Sequence, residues 1–135
     1  MNDVYLFISH SWKYNDEYER LVGLLKDRGY FSFRNYSVPK KDPLDISGQN
    51  YKKQLKEAIR NQMSLAQAVL VIAGKYVTYS DTIQMEIDLA VEMGKPIIAI
   101  RKYGADQVSS YVEQMANEIV SWNADSIVNA IRRWK

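Results

Sequence analysis

Three short stretches of this chain, Val4–Ile8, Ala68–Ala73 and Ile97–Ile100, are apolar almost without interruption. Runs this short that do not alternate with polar residues read as strands buried on both faces. Segments of helical spacing lie between and after them. Asp16–Asp27 carries Tyr18, Leu21, Val22, Leu24 and Leu25, with Asn15 or Asp16 as a cap and Gly29 as a stop. Tyr51–Met63 places Leu55, Ile59 and Met63 on one face. Thr82–Met93 follows Asp81, a cap with Gln84 three residues on, and ends at Gly94-Lys95-Pro96. Asp106–Met115 reads as a short helix. Asp125–Trp134 reads as a closing one, with Ile127, Val128, Ile131 and Trp134 spaced for docking. Two weaker strands, Tyr30–Tyr36 and Glu118–Trp122, complete the set.

Five strands alternating with five helices imply a parallel sheet covered on both faces. Right-handed crossovers leave few topologies. Because the first, third and fourth strands are the most apolar, they belong in the middle. The expected fold is an α/β, flavodoxin-like three-layer sandwich with strand order 2-1-3-4-5, as one domain over residues 1–135.

Bulk chemistry narrows the function. A net charge of +2 gives no strong electrostatic case for nucleic acid, and no nucleic-acid partner is expected. The chain has no cysteine and one histidine, which removes disulfides, thiolate metal sites and multi-histidine centres. The lack of cysteine also fits a reducing cytoplasm. The polar start at Asn2-Asp3 is unlike a signal peptide, and no apolar run approaches the ~20 residues that span a bilayer. No membrane partner is expected.

Ligands of open parallel sheets bind beyond the carboxyl ends of the strands, at the switch in strand order. The first strand ends there in Ser9-His10-Ser11-Trp12. The usual occupants of the fold are excluded by their motifs. There is no acidic pair after the first strand and no aspartate ending the third, where Ala73-Gly74-Lys75 stands. No glycine-rich phosphate loop, G-x-G-x-x-G or G-x-S-x-G is present.

The helix Thr82–Met93 holds the most suggestive carboxylate. At ~100° per residue, Ile83, Ile87, Ala90 and Val91 form the arc docked on the sheet. Asp88 and Glu92 fall in solvent, and Met85 and Leu89 point to the more exposed side. Glu86 lies at the margin of the arc, between Ala90 and Met93. Two readings are open for it: a rim residue of an amphipathic helix, or an acid facing the crevice. Burial there would raise its pKa, and the nearby helix N-terminus would oppose the rise. One carboxylate suffices to break an N-glycosidic bond when the leaving group is already cationic, as nicotinamide is in NAD. Most glycosidases use two.

Other residues carry the same ambiguity. Trp12, Tyr36, Tyr76 and Tyr79 lie in or beside loops at the strand ends, where their rings either stack a base or cover the sheet. His10 is an acid–base group near neutrality or a plain hydrogen-bonding residue. Lys40, Lys41 and Lys75 either neutralise a pyrophosphate or are simply solvated. The segment Ser37–Asn50 is a long polar loop, and such loops are often functional.

The series FISHSWKYND, RNYSVPKKDPLD and VLVIAGKYVTYSDTIQMEIDLAVEMGKPIIAI resembles the TIR-like domains of the Thoeris ThsB type, flavodoxin-like relatives of TIR domains in prokaryotic antiphage defence. The likeness continues through EIVSWNADSIVNAI. TIR enzymes carry an essential glutamate in a W-x-x-x-E pattern on this helix. Here Glu86 matches, and Thr82 stands in the tryptophan's place. The resemblance implies that Phe7, Ser9, His10 and Ser11 line the nicotinamide side. Asn35 stands near a frequent aspartate, and Asn35–Gly48 matches a gating loop. Trp12, Tyr36, Tyr76, Ser80 and Thr82 complete the candidate ligand contacts.

The implied activity is cleavage of NAD, as substrate rather than bound cofactor, to a cyclic or linear ADP-ribose-type messenger. Its partners would be a separate effector reached by that product, and further copies of the chain through loop 36–49 and helix 82–93. A non-catalytic signalling module and a nucleoside deoxyribosyltransferase-like enzyme are the alternatives.

Overall fold

The three apolar runs lie side by side in the computed structural model, which describes residues 3–9, 15–36, 49–73, 81–101 and 110–135, the side chains of 15–16, 49–52 and 81–82 excepted. β1 (Val4–Ser9) pairs in parallel with β3 (Ala68–Ala73), and β3 with β4 (Ile97–Arg101). β2 (Phe33–Asn35) adds to the outer side of β1, and β5 (Glu118–Ser121) to that of β4. The sheet is fully parallel with order β2-β1-β3-β4-β5. This is the flavodoxin-like arrangement, with the order reversing between β1 and β3.

Alternation along each strand splits the interior into two layers. Leu6, Ile8, Leu70, Ile72, Ile98 and Ile100 face α1 (Asn15–Arg28) and α5 (Ala124–Trp134). Phe7, Val69, Val71, Ala73, Ile97 and Ala99 face α2 (Gln49–Met63), α3 (Asp81–Glu92) and α4 (Ser110–Met115). Every residue of β3 is buried, which is why its sequence shows no polar alternation. No described helix is long and apolar enough to cross a membrane.

Local signals explain most element ends. Asn123 caps α5 by accepting from Ser126 N at 3.0 Å. Gly94 closes α3 at φ +70°, with Gly94 N bonded to Val91 O and Lys95 N to Ala90 O. These are the paired bonds of a Schellman ending. α3 begins at Asp81 itself, α1 at Asn15 and α2 at Gln49, each slightly before the expected start.

Three expectations are corrected. The second strand is three residues, not Tyr30–Tyr36. Gly29 and Tyr30 both turn through left-handed backbone, at φ 75° and 56°, so pairing starts only after the turn. Phe31 leaves the turn for the core and stacks on Phe33 at 5.8 Å. Trp134 does not dock with Ile127, Val128 and Ile131 as its spacing predicts: those three are sealed, yet it stays 41% exposed. Its indole Nε1 instead donates to Glu118 Oε1 at 2.8 Å.

On α3, Leu89 is buried and Val91 is half exposed, the reverse of the expected arc. A single-helix pattern sees only the sheet. α3 also packs among Ile59 and Met63 of α2 and Val112 of α4, and these neighbours rotate its buried face away from Val91. The long loop 37–48 and the segment 102–109, including the expected start of the fourth helix, lie outside the described residues.

Candidate functional site

Rotating the buried face of α3 changes the standing of Glu86. At ~100° per residue, the buried arc runs from Leu89 through Ala90 and Ile83 to Ile87. Glu86 lies inside it rather than at its edge. The whole residue is removed from solvent. A carboxylate in such a place carries a large desolvation cost unless donors meet it.

The main strand ending at the switch point supplies a donor. Ser9 is the last residue of β1 and points to the same face as Phe7, toward α3. Its Oγ donates to Glu86 Oε1 at 2.8 Å, and Ser9 is itself fully buried. The two are the fully buried polar residues among those described. The bond joins the carboxyl end of β1 to the second turn of α3, where open parallel sheets take their ligands.

Asn35 ends β2, one strand outward. Its Oδ1 accepts from Ile8 N at 3.2 Å, and its Nδ2 donates to Tyr18 on α1. Asn35 therefore fixes the backbone of β1 immediately before Ser9. Tyr18, which in sequence belongs to an apolar helical stripe, is a hydroxyl partner in this support. The signal that could have found it is a tyrosine, with its polar tip, among leucines.

Two other expected ligand contacts, Phe7 and Tyr36, also lie within the described residues. Phe7 is sealed in the core on the face of the sheet that Ser9 also takes. The ring of Tyr36 meets Tyr5 edge-on, with centroids 5.7 Å apart, and Tyr36 N bonds to Leu6 O. His10, Ser11, Trp12, Tyr76 and Ser80 lie outside the described residues, as do Tyr79, Lys40, Lys41 and Lys75. Thr82 is the second residue of α3, and its side chain is likewise outside the description.

Chemically, the arrangement is a single anchored carboxylate in surroundings of low dielectric. Opposite charges interact far more strongly there than in water. In its ionised form, a carboxylate anchored in this way stabilises positive charge developing nearby without reorganising.

Comparison with known proteins agrees with the fold. The chain is similar to the structure of Clostridium botulinum CMP N-glycosidase, BcmB, at 16% identity over 97% of this chain and 99% of that one, with a TM-score of 0.53. It is more distantly similar to a 3-dehydroquinate dehydratase-like protein from Bifidobacterium longum, at 9% identity over 99% and 95% of the two chains, with a TM-score of 0.47. No curated protein matches the sequence. The profile of the family described as Thoeris protein ThsB, TIR-like domain, matches residues 7–107, a stretch holding both Ser9 and Glu86. The chain belongs to the ThsB TIR-like domain family.

Proposed function

We propose that this chain cleaves the bond between nicotinamide and ribose in NAD and converts the ADP-ribosyl part to a signalling nucleotide. The observation that carries the reading is the buried hydrogen bond between Ser9 and Glu86 at the carboxyl end of β1. An apolar pair at these positions would pack with no desolvation cost. Costly buried polar groups of this kind concentrate at functional sites. Family membership and a shared fold with a CMP N-glycosidase support the same class of bond.

In this reading the C1′–N bond breaks with its electron pair going to nicotinamide, which leaves neutral. The Glu86 carboxylate stabilises the resulting oxocarbenium charge, and Ser9 holds the carboxylate in place. Water then adds at C1′ and releases a proton, giving ADP-ribose. Alternatively a nucleophile of the same nucleotide adds, giving a cyclic product. The product reaches a separate effector protein in the cytoplasm. Self-assembly through loop 36–49 and α3 belongs to the same proposal. The exposed side of α3 carries Asp88, Val91 and Glu92, so that contact would be mixed polar and apolar.

The test is incubation of concentrated, assembled protein with NAD or with CMP, and mass spectrometry of the products. Wild type should release nicotinamide from NAD, and Glu86→Gln should lose about 100-fold or more of the rate. Equal release by both proteins removes Glu86 from the mechanism. Release of cytosine from CMP but no nicotinamide from NAD overturns the substrate. Release of neither leaves a non-catalytic interaction module.

A further inference from the structure

One cation on the same face of the sheet lacks an ionic counterpart among the described residues. Arg101 ends β4, paired with Ala73 on one side and Ser121 on the other. Ile97 and Ala99 of the same strand face α3, so alternation turns Arg101 to that face too. Its backbone is locked in the ladder, yet its Nε is fully removed from solvent and has no hydrogen-bond partner. Among the described residues no carboxylate pairs with it; the ion pairs there involve Arg28, Arg34, Arg60 and Arg133. Guanidinium stays charged at any relevant pH. A partly buried one without an anion is costly, and supplying the anion recovers much of that cost.

The register locates it relative to Glu86. Ser9 is level with Val71, and Val71 with Ala99; Arg101 lies two residues further along β4. Two strand spacings and two residues of rise put the Cα atoms of Ser9 and Arg101 ~12 Å apart, on one face and at one edge. An arginine side chain and a ribose 5′-phosphate together bridge such a gap. The planar fork of arginine matches phosphate oxygens two at a time.

The geometry points to Arg101 as the residue that binds the phosphate of a nucleotide whose glycosidic bond lies against Glu86. This rests on the reading of Ser9 and Glu86 given above, and it assigns one residue of this chain to the phosphate of that nucleotide. Arg101 is then a specificity residue, binding a part of the substrate remote from the bond that breaks.

The test has a binding arm that needs no turnover. Wild type, Arg101→Lys and Arg101→Met are titrated with ADP-ribose, ribose 5-phosphate and inorganic pyrophosphate by calorimetry, with melting curves of each protein alone. The methionine keeps an aliphatic stem, and removing a charge that no described carboxylate pairs should leave the melting temperature equal or higher. Kd for ADP-ribose should rise 10-fold or more in Arg101→Met and less in Arg101→Lys. Binding of ribose 5-phosphate as well as ADP-ribose marks a sugar-proximal phosphate, and binding of ADP-ribose and pyrophosphate alone marks a diphosphate.

In the turnover arm, Arg101→Met should raise KM for NAD while leaving nicotinamide riboside cleavage within about 2-fold. Unchanged Kd in both variants overturns the assignment, as does an equal loss on NAD and on the riboside. A marked fall in melting temperature on Arg101→Met also overturns it, since that would expose a structural partner. If no protein cleaves NAD but the binding arm holds, the catalytic reading fails and the phosphate site stands.

Discussion

Ser9 and Glu86, 77 residues apart in sequence, bury each other: the serine hydroxyl meets the carboxylate at 2.8 Å, and neither residue touches solvent. Such a pair ties a strand end to a helix at a net cost that apolar residues would avoid. It also makes the two positions interdependent. Removing the hydroxyl alone leaves the carboxylate buried with a donor missing, which costs about 1–3 kcal/mol. Ser9→Ala should therefore destabilise the protein by that order in urea unfolding. Ser9→Ala combined with Glu86→Leu should recover most of the loss. Simple additivity of the two changes would show that the bond contributes no coupling.

If Glu86 is kept for chemistry, stability and activity part company at this position. Glu86→Leu should unfold at the same urea concentration as wild type or a higher one, while nicotinamide release disappears. A fall in stability of more than about 3 kcal/mol would instead identify Glu86 as a structural element of α3.

The support of β1 from its outer neighbour is separable from the site itself. Asn35 Oδ1 accepts from Ile8 N, two residues beyond Leu6, the β1 residue level with Asn35. Asn35→Leu leaves that amide without this acceptor, at about 1–2 kcal/mol. Hydrogen exchange should show faster exchange at Ile8 than at Leu70, the β3 residue level with it. Protection at Ile8 equal to wild type would assign the end of β1 to other contacts.

The legible parts of this fold are those set by one contact surface. The all-apolar run Ala68–Ala73 becomes β3 without a residue's error, because a strand buried on both faces needs apolar residues at every position. Strand order follows from the same contrast in polarity. Leu89 and Val91 depart from their expected places because α3 packs on α2 and α4 as well as on the sheet, and periodicity within one helix cannot register its neighbours. That rotation is also why Glu86 is sealed rather than marginal. Asn35 stands out in the sequence, but its tie to Ile8 depends on strand pairing, which appears only in three dimensions. Arg101 gives no signal of its own, since one charge after four apolar residues looks like a strand end meeting solvent.

Two glycines should respond in opposite directions to alanine. Gly23 lies inside α1 with no atom within 4 Å of the place an added methyl would take, so Gly23→Ala adds helix propensity without a clash. It should stabilise by about 0.5–1 kcal/mol. Gly94 is equally open but sits at φ +70°, where a side chain is strained. Gly94→Ala should destabilise by about 1 kcal/mol, and Gly94→Asn by less. Thermal melts of the three variants check both signs. A stabilising Gly94→Ala would show that the end of α3 relaxes to an ordinary turn.

Acid sensitivity should come in part from the clasp between β5 and α5. Glu118 accepts from the Arg133 guanidinium and from Trp134 Nε1, and these hold its carboxyl below the ordinary value of 4.5. A carboxyl held low in the folded state adds stability above its unfolded value. That contribution is lost as pH falls through the folded one. Wild type should therefore lose stability below about pH 4.5, and Glu118→Gln should flatten that limb. At pH 7 the same change should cost under about 1 kcal/mol, because Arg133 is 55% exposed and its pairing is screened by salt. Asp3 is lowered as well, by the Ser32 hydroxyl and by Arg34, from an ordinary 3.8. It titrates in the same sense, so Glu118→Gln should reduce the acid loss without abolishing it, and adding Asp3→Asn should reduce it further. Denaturant midpoints from pH 3 to pH 7 decide the matter: an acid limb unchanged in Glu118→Gln would place the sensitivity elsewhere.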